Sequence, residues 1–196
     1  MNINFLIGVC GNARSGKDTF CESAKKFLSK KKVGSARAAF ADELKADLDK
    51  LCREKIGISA FTSDPKEKSI IRPLLVTYGT DIIRSMNENW WIDKLEINLG
   101  IHQSMELLPI ITDVRYPNEM EWIQKKNNGV LVYITRKSIG PANKEEKINN
   151  AILKKGADYR IMWPTFGEDN IDLADKYVRR VMNKVFKTKI KTDGRH

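Results

Sequence analysis

The stretch Gly11-Asn12-Ala13-Arg14-Ser15-Gly16-Lys17-Asp18-Thr19 constrains the fold more than any other part of the chain. It spells G-x-x-x-x-G-K between an apolar, partly β-branched run (Ile3 to Val9) and a run from Thr19 to Leu28 with Phe20, Ala24, Phe27 and Leu28 on one side. The first run reads as a short buried strand and the second as a helix. A loop leading from a buried strand into a helix presents unpaired backbone N–H groups and the positive end of the helix dipole, and both favour an anion. Glycines let that backbone close around phosphate oxygens, and a lysine adds a cation. The plainer alternative, a Gly-rich turn capping a helix, leaves Lys17 without a use. The expected ligand is ATP, with Gly11, Ala13, Arg14, Ser15, Gly16, Lys17, Asp18 and Thr19 around its phosphates and Lys17 at the β- and γ-phosphates.

The residue after such a lysine is usually Ser or Thr, whose hydroxyl meets magnesium. Here it is Asp18. A carboxylate also suits magnesium, directly or through water, because that ion takes oxygen ligands and keeps several waters. The other reading is that Asp18 only complements the dipole in the first helical turn. Mg2+ is the expected cofactor, with Asp18 and Asp113 as its candidate protein ligands.

A chain of 196 residues, 41% of them hydrophobic, is long enough for one globular domain with a small mobile part. No apolar run is long enough to span a bilayer, and the start does not read as a secretory leader. Cys10, Cys21 and Cys52 have no C-x-x-C spacing and are odd in number, which argues against zinc and against a disulfide framework. The expected setting is cytoplasmic, the host-cell cytoplasm if the chain is phage-encoded, with no membrane partner. The net charge of +10 suits an anionic partner, nucleotide or nucleic acid. Much of that excess lies in Lys25-Lys26, Lys30-Lys31-Lys32 and a C-terminal group from Arg179 to Arg195, which read as solvated faces, so a nucleic-acid partner is not expected.

Beyond the first helix the pattern alternates. Strands are expected at 35–41, 107–113, 130–135 and 157–163. Helices are expected at 43–56 (capped by Asp42, with Leu44, Leu48, Leu51 and Cys52 on one face), 70–86 with a break near Gly79, 90–102, 116–127, 144–154 and from Asp169 onward. Residues 61–68 read as a polar turn. Alternation of this kind gives an α/β fold, a parallel sheet with helices on both faces, whose ligands bind beyond the strand carboxyl ends. Asp113 and Arg115 follow a buried strand and face that crevice as candidates for metal or phosphate, the plainer reading being a helix cap beside a surface arginine. Phe40 and Lys45 follow the second strand. Tyr78, Gly79, Thr80 and Arg84 suit a base platform with a phosphate clamp, or else a helix kink around a buried tyrosine. Of Trp90 and Trp91, one reads as core and the other as a pocket wall. Arg136 is placed to stack on adenine, with Pro164 opposite, or is an ordinary surface arginine.

Taken together the segments resemble the deoxynucleoside monophosphate kinase family known from bacteriophages. The resemblance rests on Gly16-Lys17-Asp18-Thr19, Phe40-Ala41 with Leu44-Lys45, Tyr78-Gly79-Thr80-Asp81-Ile82-Ile83-Arg84, Trp91 with Asp93-Lys94-Leu95, Thr112-Asp113-Val114-Arg115 with Asn118-Glu119, Thr135-Arg136 and Asp158-Tyr159-Arg160-Ile161. It departs after Arg136, where a charged helix at Lys144 to Lys154 replaces a His-Ser-Glu type stretch, and after the last strand, where Trp163-Pro164-Thr165 replaces Asn-Asp-Gly. The family implies the P-loop kinase fold over residues 1–196, with an acceptor-binding part (42–104) and a lid (137–156). It implies magnesium-dependent transfer of the ATP γ-phosphoryl group to a (deoxy)nucleoside monophosphate. Lys17, Asp113 and Arg115 become the candidate catalytic residues; Phe40, Lys45, Tyr78, Gly79, Thr80, Arg84, Trp90 and Arg115 become the candidate acceptor contacts. A kinase for a phosphomevalonate- or dephospho-CoA-like acceptor is the nearest rival, and a nucleic-acid-associated ATPase is a more distant one. A homodimer is compatible with the sequence but not specified by it.

Overall fold

The computed structural model describes residues 4–165 and 172–192. The chain divides into two compact units, Met1–Ala38 with Gly100–His196, and Ala39–Leu99.

The first unit is built on a parallel sheet of five strands among the described residues, β1 (Ile7–Cys10), β2 (Ser35–Ala38), β3 (Leu108–Val114), β4 (Val130–Arg136) and β5 (Tyr159–Trp163), in the order β2-β3-β1-β4-β5. β1 is central and wholly buried, pairing with β3 (Ile7 opposite Ile110) and β4 (Val9 opposite Val132). A strand buried on both faces has no use for alternation, which is why β1 and β4 read as continuous apolar runs. One face carries Ile7, Val9, Ile110, Val132, Ile134, Ile161 and Trp163 and is covered by α1 (Lys17–Lys30) and α7 (Leu173–Thr192), which contribute Phe20, Ala24, Leu28, Val178, Met182 and Val185. The opposite face receives Ile123, from the helix that begins as α5 (Pro117–Glu121) and widens over Trp122–Lys126. A Cβ on Gly8 would lie 2.6 Å from Ile123 Cδ1, so the central strand stays bare there to admit it. Leu153 of α6 (Lys144–Gly156) is also buried. The three cysteines are free and buried.

The connection leaving β1 runs toward β2, whereas that leaving β4 runs toward β5. The two loops diverge and open a crevice at their strands' carboxyl ends, the place where such sheets bind ligands.

The second unit holds α2 (Phe40–Ile56), α3 (Pro65–Val76), which continues without interruption into a wider π-type segment (Thr77–Arg84), and the first part of α4 (Trp90–Ser104). Leu48, Cys52 and Ala60 form its small core, with Leu44, Leu74, Leu75 and Tyr78 packed on it.

Several sequence expectations are corrected here. The second strand ends at Ala38, and Phe40 and Ala41 open α2, so Asp42 lies in the helix's first turn instead of capping it. Leu51 is 44% exposed: the inward stripe is half-buried Leu44 with buried Leu48 and Cys52, one residue per turn, and Leu51 falls on its rim. The polar stretch 61–68 contains a helix start. Asp64 accepts from the N–H groups of Lys66 and Glu67, and Pro65 takes the first helical position, where its missing N–H does no harm. Near Gly79 the helix widens and does not break. Ile3, Asp169 and Ile171 lie outside the described residues; α7 is described from Leu173.

Candidate functional site

The loop after β1 is built around two glycines with positive φ, Gly11 (138°) and Gly16 (94°). A Cβ on Gly11 would sit 2.3 Å from the Ile134 carbonyl oxygen, and one on Gly16 would sit 2.7 Å from Trp163 Cζ2. Neither position admits another residue without moving β4 or the tryptophan. Arg14 also has a positive φ (62°), a conformation that costs a non-glycine residue energy and collects at functional loops. Gly16 precedes the first residue of α1 and supplies no side-chain cap, so the first N–H groups of that helix have no capping side chain.

Lys17 Nζ donates to the carbonyls of Gly11 (3.0 Å) and Asn12 (2.9 Å). Burial holds its ammonium below the ordinary lysine range and the Arg115 charge adds to this, while the carboxylates of Glu146, Asp18 and Asp113 oppose it. Lys17, Asp18, Asp113 and Arg115 are thus brought into one electrostatic neighbourhood at the carboxyl end of the sheet. Asp18 is exposed in the first turn of α1 and Asp113 is half-buried near the end of β3. The backbone after Asp113 is fixed by Glu119, a carboxylate only 2% exposed, which accepts from the N–H groups of Arg115 (2.7 Å) and Tyr116 (3.0 Å). Arg115 itself is exposed.

The far side of the loop is held by β4, β5 and α6. Trp163 Nε1–H donates to the Ser15 carbonyl at 2.8 Å while its ring lies against Gly16. Arg136 donates to Thr165 Oγ1 (3.2 Å) and to the Arg14 carbonyl (3.3 Å), beside exposed Pro164. Asn150 Nδ2 donates to Asn12 Oδ1 (2.6 Å), Asn12 donates to the Ile139 carbonyl (2.9 Å), and the Ala13 N–H donates to Glu146 Oε1 (3.0 Å). Sequence reasoning missed Asn12, Trp163, Glu119, Glu146 and Asn150 as parts of the site. A tryptophan ending an apolar strand reads as core, and the charged helix at Lys144 to Lys154 reads as part of a lid in which no single residue stands out. Glu119, three residues beyond Tyr116 at a helix start, carried the one usable signal, that of a carboxylate folding back on backbone N–H groups.

The remaining candidates belong to the second unit. Gly79 is buried: a Cβ there would lie 2.7 Å from Leu44 Cδ2, and its carbonyl accepts from Trp91 Nε1–H at 3.0 Å. Tyr78 is half-buried with its ring 6.3 Å from that of Trp91. Trp91 is the core tryptophan and Trp90 is exposed. Thr80 and Arg84 are half-buried on the widened turn, a helix irregularity that often marks functional sites. Phe40 is buried at the start of α2, and Lys45 pairs with Asp42 (3.7 Å) and lies over the Phe61 ring.

Among the described residues no three His, Cys, Asp or Glu side chains converge as a metal cage. Magnesium needs none, since it takes one or two carboxylates and completes its shell with water and substrate phosphates. The fully buried Ser15 hydroxyl, which has no hydrogen-bond partner, and the uncapped start of α1 suit a phosphate-bearing ligand, and two carboxylates beside Lys17 suit its counter-ion. Among the described residues no helix is long and apolar enough to cross a membrane.

Comparison with known proteins bears on the family and the fold. The family profile described as deoxynucleotide monophosphate kinase matches residues 21–162. No curated protein matches the chain. Among solved structures, a dephospho-CoA kinase from Campylobacter jejuni is similar at 15% identity and a TM-score of 0.55, over 93% of this chain and 98% of that one. A Thermus thermophilus protein, TT1252, aligns at 12% identity and a TM-score of 0.45, over 94% and 97% of the two chains. The first of these likenesses carries the fold, a P-loop kinase sheet with its helices.

Proposed function

This chain belongs to the deoxynucleotide monophosphate kinase family, and from that premise we propose how its residues divide the transfer of a phosphoryl group from ATP to a deoxynucleoside monophosphate. The observation that carries the reading is the loop itself: two obligate glycines, an uncapped helix start and a half-buried lysine resting on loop carbonyls. In phosphoryl transfer little covalent work falls to the protein, which positions donor and acceptor in line and neutralises charge on the moving group.

In this proposal the backbone from Gly11 to Thr19 binds the donor phosphates, and Lys17 leaves the carbonyls of Gly11 and Asn12 for the β- and γ-phosphate oxygens. Asp18 and Asp113 are the residues that would hold magnesium, whose contribution when bound is to neutralise phosphate charge. Arg136 and Pro164 border the adenine. Arg115, held by the Glu119 anchor of its own N–H, meets the acceptor phosphate. Residues 42–104 bind the acceptor, with Tyr78, Trp90 and Phe40 toward the base and Lys45, Thr80 and Arg84 toward sugar and phosphate, Gly79 allowing the close packing beneath them. Residues 137–156 act as a lid that excludes water, which would otherwise hydrolyse ATP. Deoxynucleotide supply in a phage-infected cell is the setting this reading implies.

A coupled assay of ADP release across the common ribo- and deoxynucleoside monophosphates tests the proposal. The expected result is ADP formation that depends on a deoxynucleoside monophosphate and on Mg2+. ATP consumption that ignores monophosphates but rises with added DNA would overturn it.

A further inference from the structure

Glu146 is the one carboxylate of α6 that reaches the phosphate loop. Its Oε1 accepts from the Ala13 N–H at 3.0 Å, and its Oε2 accepts from the N–H of Ala142, just ahead of the helix. Asn150, one turn further along the same helix, takes the neighbouring loop residue through Asn12 Oδ1. Two side chains four residues apart lie on one face of a helix, so α6 presents that face to residues 12 and 13. The loop is built to receive an anion, and a carboxylate is one. Asn143 accepts from the Glu146 N–H at 2.8 Å and Oε2 folds back on the Ala142 N–H, but capping does not account for Oε1, which leaves the helix start for the Ala13 N–H.

We propose that the Glu146 carboxylate is an internal competitor for the phosphate loop, holding the Ala13 N–H as an anion would and giving it up when the donor's phosphates bind. Glu146 is then a positioning residue: it occupies the Ala13 N–H of the empty loop and sets donor affinity lower than the loop alone would give. Donor binding and release of α6 become one event, which couples the lid to the nucleotide. The inference rests on the assignment of Gly11 to Thr19 as the donor-phosphate loop.

The test is calorimetric titration of the full chain with inorganic tripolyphosphate, and separately with ATP, for wild type, E146Q, E146A and K17A. Glutamine keeps the shape and an accepting oxygen for the Ala142 N–H but carries no charge. If the latched arrangement dominates the free one by about ten to one, removing it raises apparent affinity about tenfold. E146Q and E146A are both expected to bind tripolyphosphate more tightly, with KM for ATP falling in parallel. A merely structural Glu146 would give weaker binding, the opposite sign. Unchanged or weaker binding by E146Q, with K17A losing binding as expected, overturns the Glu146 inference and leaves the loop assignment standing. Wild-type binding by K17A overturns the loop assignment itself.

Discussion

Replacing Gly16 with alanine tests the loop where its geometry is tightest. Two costs act together. The residue has φ of 94°, and a left-handed conformation costs an L-residue about 1–2 kcal/mol. The added Cβ would also stand 2.7 Å from Trp163 Cζ2 and 3.1 Å from Cε2, in a core where overpacking costs about 1–3 kcal/mol. The sum is about 2–5 kcal/mol, and at about 2–4 °C per kcal/mol for a chain of this size Tm should fall on the order of 10 °C. Trp163→Phe separates the two costs. Alone it removes the Nε1–H bond to the Ser15 carbonyl and should cost about 1–3 kcal/mol. Combined with Gly16→Ala it removes the ring atoms in the way, so the double variant should be more stable than the sum of the single effects by about 1–3 kcal/mol. Thermal and urea unfolding of the four proteins give the cycle, and KM for ATP should rise in both single variants because each shifts the loop. Additivity within about 0.5 kcal/mol, or an unchanged Tm for Gly16→Ala, would refute the reasoning.

Further outcomes are expected at Lys17, Asp18, Arg115 and the end of α7. Lys17→Ala should lower kcat on the order of 100-fold or more with the fold intact. Because burial lowers the Lys17 pKa in the folded state, the unfolded chain holds the extra proton in the window that ends near the free-lysine value of about 10.4. Stability contributed at this site should therefore rise with pH across that window while activity falls, and both trends should vanish in Lys17→Met. Asp18→Asn should raise the Mg2+ concentration needed for half-maximal rate more than it raises KM for ATP; an unchanged Mg2+ titration leaves Asp18 only its place in the helix dipole. Arg115→Ala should cripple transfer, each lost charge-assisted phosphate contact costing about 1.5–3 kcal/mol. Truncation after Phe186 should leave the rate within a few-fold, since the retained Phe186 is the residue that packs on Phe5 and Phe27; equal losses from the two changes would contradict this division.

The segment from β1 through α1 was legible because each level of its sequence points the same way: a continuous apolar run, glycines, then an amphipathic stripe. β3 and β4 were legible for the same reason. β2 was harder, as Ser35-Ala36-Arg37-Ala38 has little to bury and is recognised by what it pairs with, Leu108 to Ile111. Asp64-Pro65 was misread because the letters that make turns also start helices. Within the site, Lys17 and the glycines were legible from spacing. The grip of Trp163 on Ser15 and of α6 on Asn12 and Ala13 was not, because those contacts join residues more than a hundred positions apart and follow from strand order alone.

The three buried thiols give this chain a chemical clock of its own opening. Burial pushes the Cys21 thiol up to about 11 and raises those of Cys10 and Cys52, so at neutral pH none offers much thiolate to an alkylating reagent. Cys10 and Cys21 sit on β1 and α1, directly before and after the phosphate loop, and Cys52 sits in the small core of the other unit. Pulsed alkylation with site-resolved mass readout therefore times the exposure of each unit without any engineered label. Nucleotide that tightens the loop should slow modification of Cys10 and Cys21 in proportion to its occupancy.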